Sequence, residues 1–130
     1  MYKKKIAILF LSFVFFSCNN ISREEKEEFR DYFYYRVSTI VEYDNLFNSG
    51  NEIHLNDWMF FLENCSWLET LTGCKLGFID VEPPYYENND QMTIDTTNLS
   101  HWYNRNKNNW SMRKADEYVY RKRNGHTVYF

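Results

Sequence analysis

The chain has 130 residues, 20% of them aromatic, and a formal charge of −3 at neutral pH. That length suits one domain, and 44% hydrophobic content excludes a disordered chain. Four Gly, two Pro and three Cys exclude collagenous, low-complexity and disulfide-dense classes. Residues 1–17 contain three Lys and no acid, so the rest of the chain sets 12 bases against 18 acids, net −6, which excludes a generally cationic nucleic-acid binder.

Met1 to Lys5 is a short basic head, and Ile6 to Phe16 is apolar apart from one Ser. As a helix that stretch covers about 16 Å, against a hydrocarbon core of about 30 Å. A basic head before a short apolar run is the pattern of a secretory signal rather than a membrane span. The run ends in Phe15-Phe16-Ser17-Cys18. This resembles the lipobox of bacterial lipoproteins, and its aromatic character is similar to that of lipoproteins from Bacteroidota. The resemblance implies that residues 1–17 are a signal peptide and that Cys18 is lipidated and becomes the new N-terminus. Two or three acyl chains make a stable anchor where one would not. Asn19 follows the Cys in place of the Asp that marks inner-membrane retention, so the resemblance implies a lipid-anchored envelope protein, in the outer membrane rather than the inner.

Ser22 followed by Glu25 forms a capping box, which leaves residues 18–21 as a tether of at most about 14 Å. Phe29, Phe33, Val37, Ile40 and Val41 then recur at helical spacing and predict a helix from Ser22 to Asp44. Asn48-Ser49-Gly50-Asn51 signals a loop. A second helix is predicted from Asn56 to Thr72, with Trp58, Phe61, Leu62, Cys65 and Leu68 on one face and Gly73 in the left-handed position after it. Leu76 to Val81 reads as a short strand ended by Pro83-Pro84, and Tyr85 to Gln91 as a polar, exposed loop. Asp95, Thr96 or Thr97 is expected to cap a third, short helix carrying Leu99, Trp102 and Tyr103. Tyr118–Arg123 and His126–Phe130 flank Asn124-Gly125, the pair that favours a type I′ turn. The expectation is a β-hairpin with Tyr120 facing Tyr129 and Val119 facing Phe130.

The predicted fold class is therefore α+β: one small domain over residues 22–130 with two amphipathic helices, a short strand, a third short helix and a C-terminal β-hairpin. His101-Trp102-Tyr103-Asn104-Arg105-Asn106-Lys107 is similar to a segment of short proteins of unknown function from Bacteroidota, and that similarity brings no activity with it.

Charge is segregated along the chain. Residues 45–100 carry Lys75 against nine acids, whereas residues 101–130 carry seven bases and two acids. Arg121, Lys122 and Arg123, with Arg105 and Arg113, form a candidate basic face for an anionic partner. Pro83-Pro84-Tyr85-Tyr86 is a turn whose Tyr85 and Tyr86 are candidates for a partner surface. Metal binding fails on spacing, since His54, His101 and His126 lie far apart with no His-x3-His pair. Glu87, Asp90 and Asp95 lie in an Asn-rich stretch without the alternating acids and central Gly of an EF-hand. Asp57 is placed to begin a helix rather than to share a site with His54. Asp80 and Glu82 would share one side of the strand, as a paired acid and base might, but an exposed edge is the commoner explanation. Cys65 falls on the apolar helix face, where a thiol is inert. Cys65 and Cys74 are candidates for a disulfide. Seven helical residues between Cys65 and Thr72 already span about 10 Å, against a Cα limit of roughly 7 Å, so the bond needs an early helix end or a sharp return of the chain.

No cofactor and no nucleic acid are expected. The sequence reading is a non-catalytic envelope protein acting by protein–protein interaction, as an accessory subunit, inhibitor or immunity-type protein, with the membrane and an envelope protein as partners. The alternatives are a small hydrolase of peptidoglycan or glycan, using Asp80, Glu82 or His54, and a carbohydrate-binding lipoprotein.

Overall fold

The computed structural model describes residues 20–125. The signal segment, Cys18 and the segment His126–Phe130 lie outside the described residues. Among the described residues four helices make the fold: α1 (Arg23–Asn48), α2 (Leu55–Thr72), α3 (Asn89–Asn106) and α4 (Met112–Arg123). Among the described residues there is no strand, so the expected α+β class is corrected to all-α.

The first two helices follow from local sequence. Ser22 Oγ accepts from the Glu25 N–H at 3.1 Å, and Glu25 Oε1 accepts from the Ser22 N–H at 3.4 Å, which completes the capping box. Phe29, Phe33, Val37, Ile40 and Tyr43 then turn into the core. The helix runs one turn beyond Asp44, because Leu46 and Phe47 continue the pattern and Phe47 stacks on Tyr85 at 5.5 Å. At the start of α2 the His54 N–H donates to the Asp57 carboxylate at 3.0 Å, and Gly73 ends the helix with φ +72°. Phe61, Cys65 and Leu68 are buried as expected, with Trp67 and Leu71 beside them and Trp58 and Leu62 half-buried.

The expected strand at Leu76–Val81 is absent. Ile79 and Tyr85 form one isolated antiparallel bridge, with N···O distances of 2.7 and 3.2 Å, across a turn containing a cis Glu82–Pro83 peptide. A strand needs a neighbour to satisfy its backbone, and none of the described segments lies alongside. The segment is instead anchored by single side chains, Leu76, Pro84 and Tyr86, each buried. Tyr85–Gln91 is thus not wholly an exposed loop.

The third helix starts six residues before Asp95. Asn88 Oδ1 accepts from the Gln91 N–H at 2.9 Å and is the cap. The Thr93 and Thr96 hydroxyls donate back to the carbonyls of Asn89 and Met92, so these residues sit inside the helix instead of ending it.

The C-terminal hairpin is also corrected. Its first arm is the end of α4, capped by Ser111 Oγ accepting from the Lys114 N–H at 3.1 Å. Ala115 and Val119, four apart, are the buried pair. Glu117 and Arg121 pair at 2.8 Å across the next turn. Asn124-Gly125 closes this helix, with Gly125 at φ +73°, where a hairpin turn was expected. Tyr120 is 67% exposed and Val119 packs inward on this helix, and their expected partners Tyr129 and Phe130 lie outside the described residues.

Side-chain contacts set the helix directions. Tyr32 meets Trp67, Arg36 meets Asn64 and Tyr43 meets Phe61, so α1 and α2 are antiparallel. Phe29 and Phe33 meet Tyr103 and Trp102 near the start of α1, while Asp95 reaches Tyr86 at the level of Phe61, so α3 also runs against α1. Trp67 meets Asp116 and Glu63 meets Arg123, so α4 runs against α2. One end of the bundle, here the proximal end, therefore carries Ser22, Gly73 and the α3–α4 turn. The distal end carries the α1–α2 loop, the start of α3 and the end of α4. Among the described residues, the core side chains lie between Phe29 and Val119.

Candidate functional site

At the distal end, the C-terminal half of α1 and the first turns of α2 diverge around an open groove of about 410 Å³. Its floor is aromatic. Tyr43 and Phe61 stack at 4.1 Å and 17°, a contact set by the antiparallel crossing of the two helices. Thr39 and Leu46 line the α1 wall, Asn56 the α2 wall, and Phe60 stands at the mouth, 51% exposed. One acid borders each side: Glu42 on α1 and Asp57 on α2.

The groove is electrostatically negative and chemically quiet. The Tyr43 hydroxyl donates to the Pro84 carbonyl at 2.7 Å. Burial, with smaller contributions from Asp57 and Cys65, pushes its pKa up to about 12, so it stays protonated at neutral pH. Asp44, one residue on, is buried and its pKa is raised by that burial, partly offset by the hydrogen bond with Asn48. Elsewhere the distal end exposes the acids Glu52, Asp80, Glu82, Glu87 and Asp90 and the bases Arg121, Lys122 and Arg123, and Leu55 and Met59 are exposed on α2. The groove accepts ammonium or guanidinium donors at its rim and an apolar side chain on its floor.

The residues singled out from the sequence are dispersed by the fold. Tyr86 is buried, and its hydroxyl donates to Asp95 Oδ2 at 2.7 Å; Tyr85 is half-buried against Phe47. Arg121, Lys122 and Arg123 lie exposed at the end of α4, where Arg123 binds Glu63 at 3.1 Å and Ser66 at 2.9 Å. Arg105 and Arg113 stand at the opposite end, so the five cations form no single face. Asp80 and Glu82 are exposed in a bend, without the strand that would align them, and His54 is the exposed residue preceding α2. Cys65 is buried with its thiol pKa pushed up, chiefly by desolvation; Cys74 is half-buried, and both thiols are free. Cys18 lies outside the described residues. Among those residues no group of three His, Cys, Asp or Glu is placed to hold a metal.

Sequence reasoning passed over Glu42, Asp57 and Phe60 as groove residues. Asp57 was read only as a helix-starting acid, and Phe60 lies beside the apolar stripe of α2. The available signal was the short α1–α2 loop, which forces Tyr43 and Phe61 to face each other. No protein-family model matches the chain, and neither a curated protein nor a solved structure matches it.

Proposed function

We propose that this chain is a lipid-anchored, non-catalytic protein of the bacterial cell envelope that acts by binding another protein, as an accessory subunit, an inhibitor or an immunity-type protein. The observation that carries this reading is the acid-rimmed aromatic groove at the distal end of the bundle, opposite the end where α1 begins. A lipid on Cys18 of the outer membrane would hold the proximal end down and leave that groove directed into the surrounding compartment. The partner is a basic protein with an apolar side chain to seat between Tyr43 and Phe60. The acidic rim steers its approach, and the floor supplies affinity.

The test is recovery of the partner from membranes after cross-linking. A stoichiometric partner is expected to co-purify with the unaltered chain, and Glu42→Lys with Phe60→Ala is expected to reduce recovery at least tenfold without loss of folding. Recovery indifferent to both changes would remove the groove from the reading. Turnover of a cell-wall or glycan substrate, abolished by changing Asp80 or Glu82, would replace the reading with an enzymatic one. Retention in membranes and palmitate labelling of a Cys18→Ala protein would overturn the anchor.

A further inference from the structure

The α3–α4 connection concentrates cations at the proximal end. From Thr96 to Ala115 the chain holds Arg105, Lys107, Arg113 and Lys114 and no acid. Arg105, Lys107 and Arg113 are exposed, and among the described residues no acid pairs with them. The turn also has an apolar component: Trp110 is half-buried against Trp102 and Tyr118, with the Lys114 ammonium 5.0 Å from its ring centre, and Met112 is 37% exposed. Trp beside exposed bases is the composition of a membrane–water interface.

The fold places this turn at the end where the N-terminal tether joins. Phe29 and Tyr103 lie 5.9 Å apart, so Arg105 and Lys107 fall level with the first turns of α1. Of the acids in those turns, Glu24, Glu27 and Glu28 recur at helical spacing on the side of α1 opposite Phe29 and Phe33, Glu25 Oε1 accepts from the Ser22 N–H in the capping box, and Asp31 pairs with Arg30 at 3.1 Å. Both members of that pair act on Tyr103 of α3: burial raises its pKa, Arg30 offsets part of the rise, and Asp31 adds to it.

We propose that the α3–α4 turn, through Arg105, Lys107 and Arg113, docks the bundle onto an anionic phospholipid surface beside the lipid anchor. Each base near such a surface contributes about a fivefold gain in partitioning, and the contribution is screened by salt. With a tether of only residues 18–21, the turn is held near the bilayer, so a weak surface affinity suffices to orient the groove away from it. This goes beyond the partner-binding reading and relies on the anchor only for its setting, so it is tested on protein without lipid.

The chain from residue 20 to its end, which contains every described core residue, is sedimented with vesicles of phosphatidylcholine alone or with about 40% phosphatidylglycerol, an anionic surface of the kind that attracts basic segments. Binding only to the anionic vesicles is expected, and it should weaken about a hundredfold in Arg105→Gln/Lys107→Gln/Arg113→Gln. Arg121→Gln/Lys122→Gln, at the distal end, is expected to bind like the unaltered chain. No binding, equal binding to both vesicles, or equal losses in the two variants would overturn the proposal. None of these outcomes depends on Cys18 or on partner recovery, so failure here is distinct from failure of the reading above.

Discussion

Asp95 draws three distant donors to one buried carboxylate. The Gly77 N–H and the Tyr86 hydroxyl reach Oδ2 at 2.7 Å each, and Gln91 Nε2 reaches Oδ1 at 2.9 Å. A Cβ at Gly77 would meet the Gln91 side chain and force it to shift from Asp95. The residue that looked like a helix cap or a calcium ligand is instead the fastening between α3 and the long connection from α2. Asp95→Ala would leave the Tyr86 hydroxyl and the Gly77 N–H without their acceptor in the interior, at a cost of about 3 kcal/mol. Urea unfolding should read that loss, and a change below about 0.5 kcal/mol would show that water replaces the carboxylate. A second polar knot joins α1, α2 and α4. The Arg36 guanidinium lies over the rings of Tyr32 and Trp67, at 4.7 and 4.4 Å, while Asp116 accepts from the Tyr32 hydroxyl and Trp67 Nε1.

At the scale of the element, the contrast between α1 and α4 is instructive. The capping box and the spacing of Phe29, Phe33, Val37 and Ile40 are local and unambiguous, so α1 was legible to within one turn. In α4 the alternation of Tyr118, Val119 and Tyr120 before Asn-Gly suggested a strand, yet the same residues complete a helix whose inward pair is Ala115 and Val119. Helix-forming Met, Arg, Lys, Ala and Glu precede the aromatic run, and burial of one face against α2 decides the outcome. Asn-Gly serves either ending, because both a type I′ turn and a helix C-terminus use positive φ. Val119→Ala is therefore expected to destabilise by about 1–2 kcal/mol and Tyr120→Ala by less than about 0.5 kcal/mol. Thermal melts of the two variants measure this, and a larger loss at Tyr120 would argue for the hairpin.

Across the whole molecule, burial holds several acidic groups in their neutral forms. Desolvation is the leading cause for Tyr43, Tyr86 and Cys65, with the hydrogen bond to Asp95 adding to it at Tyr86 and neighbouring charges at all three. Their pKa values are raised on folding, so their contribution to stability is complete below the unfolded values and is lost as pH rises. From ordinary values of 9.0 for Cys65 and 10.0 for Tyr43 and Tyr86, the fall begins near pH 9 and continues through the folded Tyr43 value of about 12. Denaturant midpoints at pH 8 and pH 10.5 should differ in that direction, and Tyr43→Phe should flatten the dependence. An unchanged midpoint would show that these groups ionise without unfolding.

The sequence by itself determined the first two helices with their caps, and the imbalance between an acidic middle and a basic tail. Each rests on neighbours within a few turns of chain or on simple counting. The tertiary structure decided what depends on distant partners: that Leu76–Val81 has no strand to pair with among the described residues, that Tyr118–Arg123 is helical, and that Asp95 is buried. It also divided the basic tail between two ends of the bundle, because α4 spans its length, and brought Glu42 and Asp57 to the two sides of one groove. Charge composition is a property of the chain, but which charges share a surface is set by helix direction and packing.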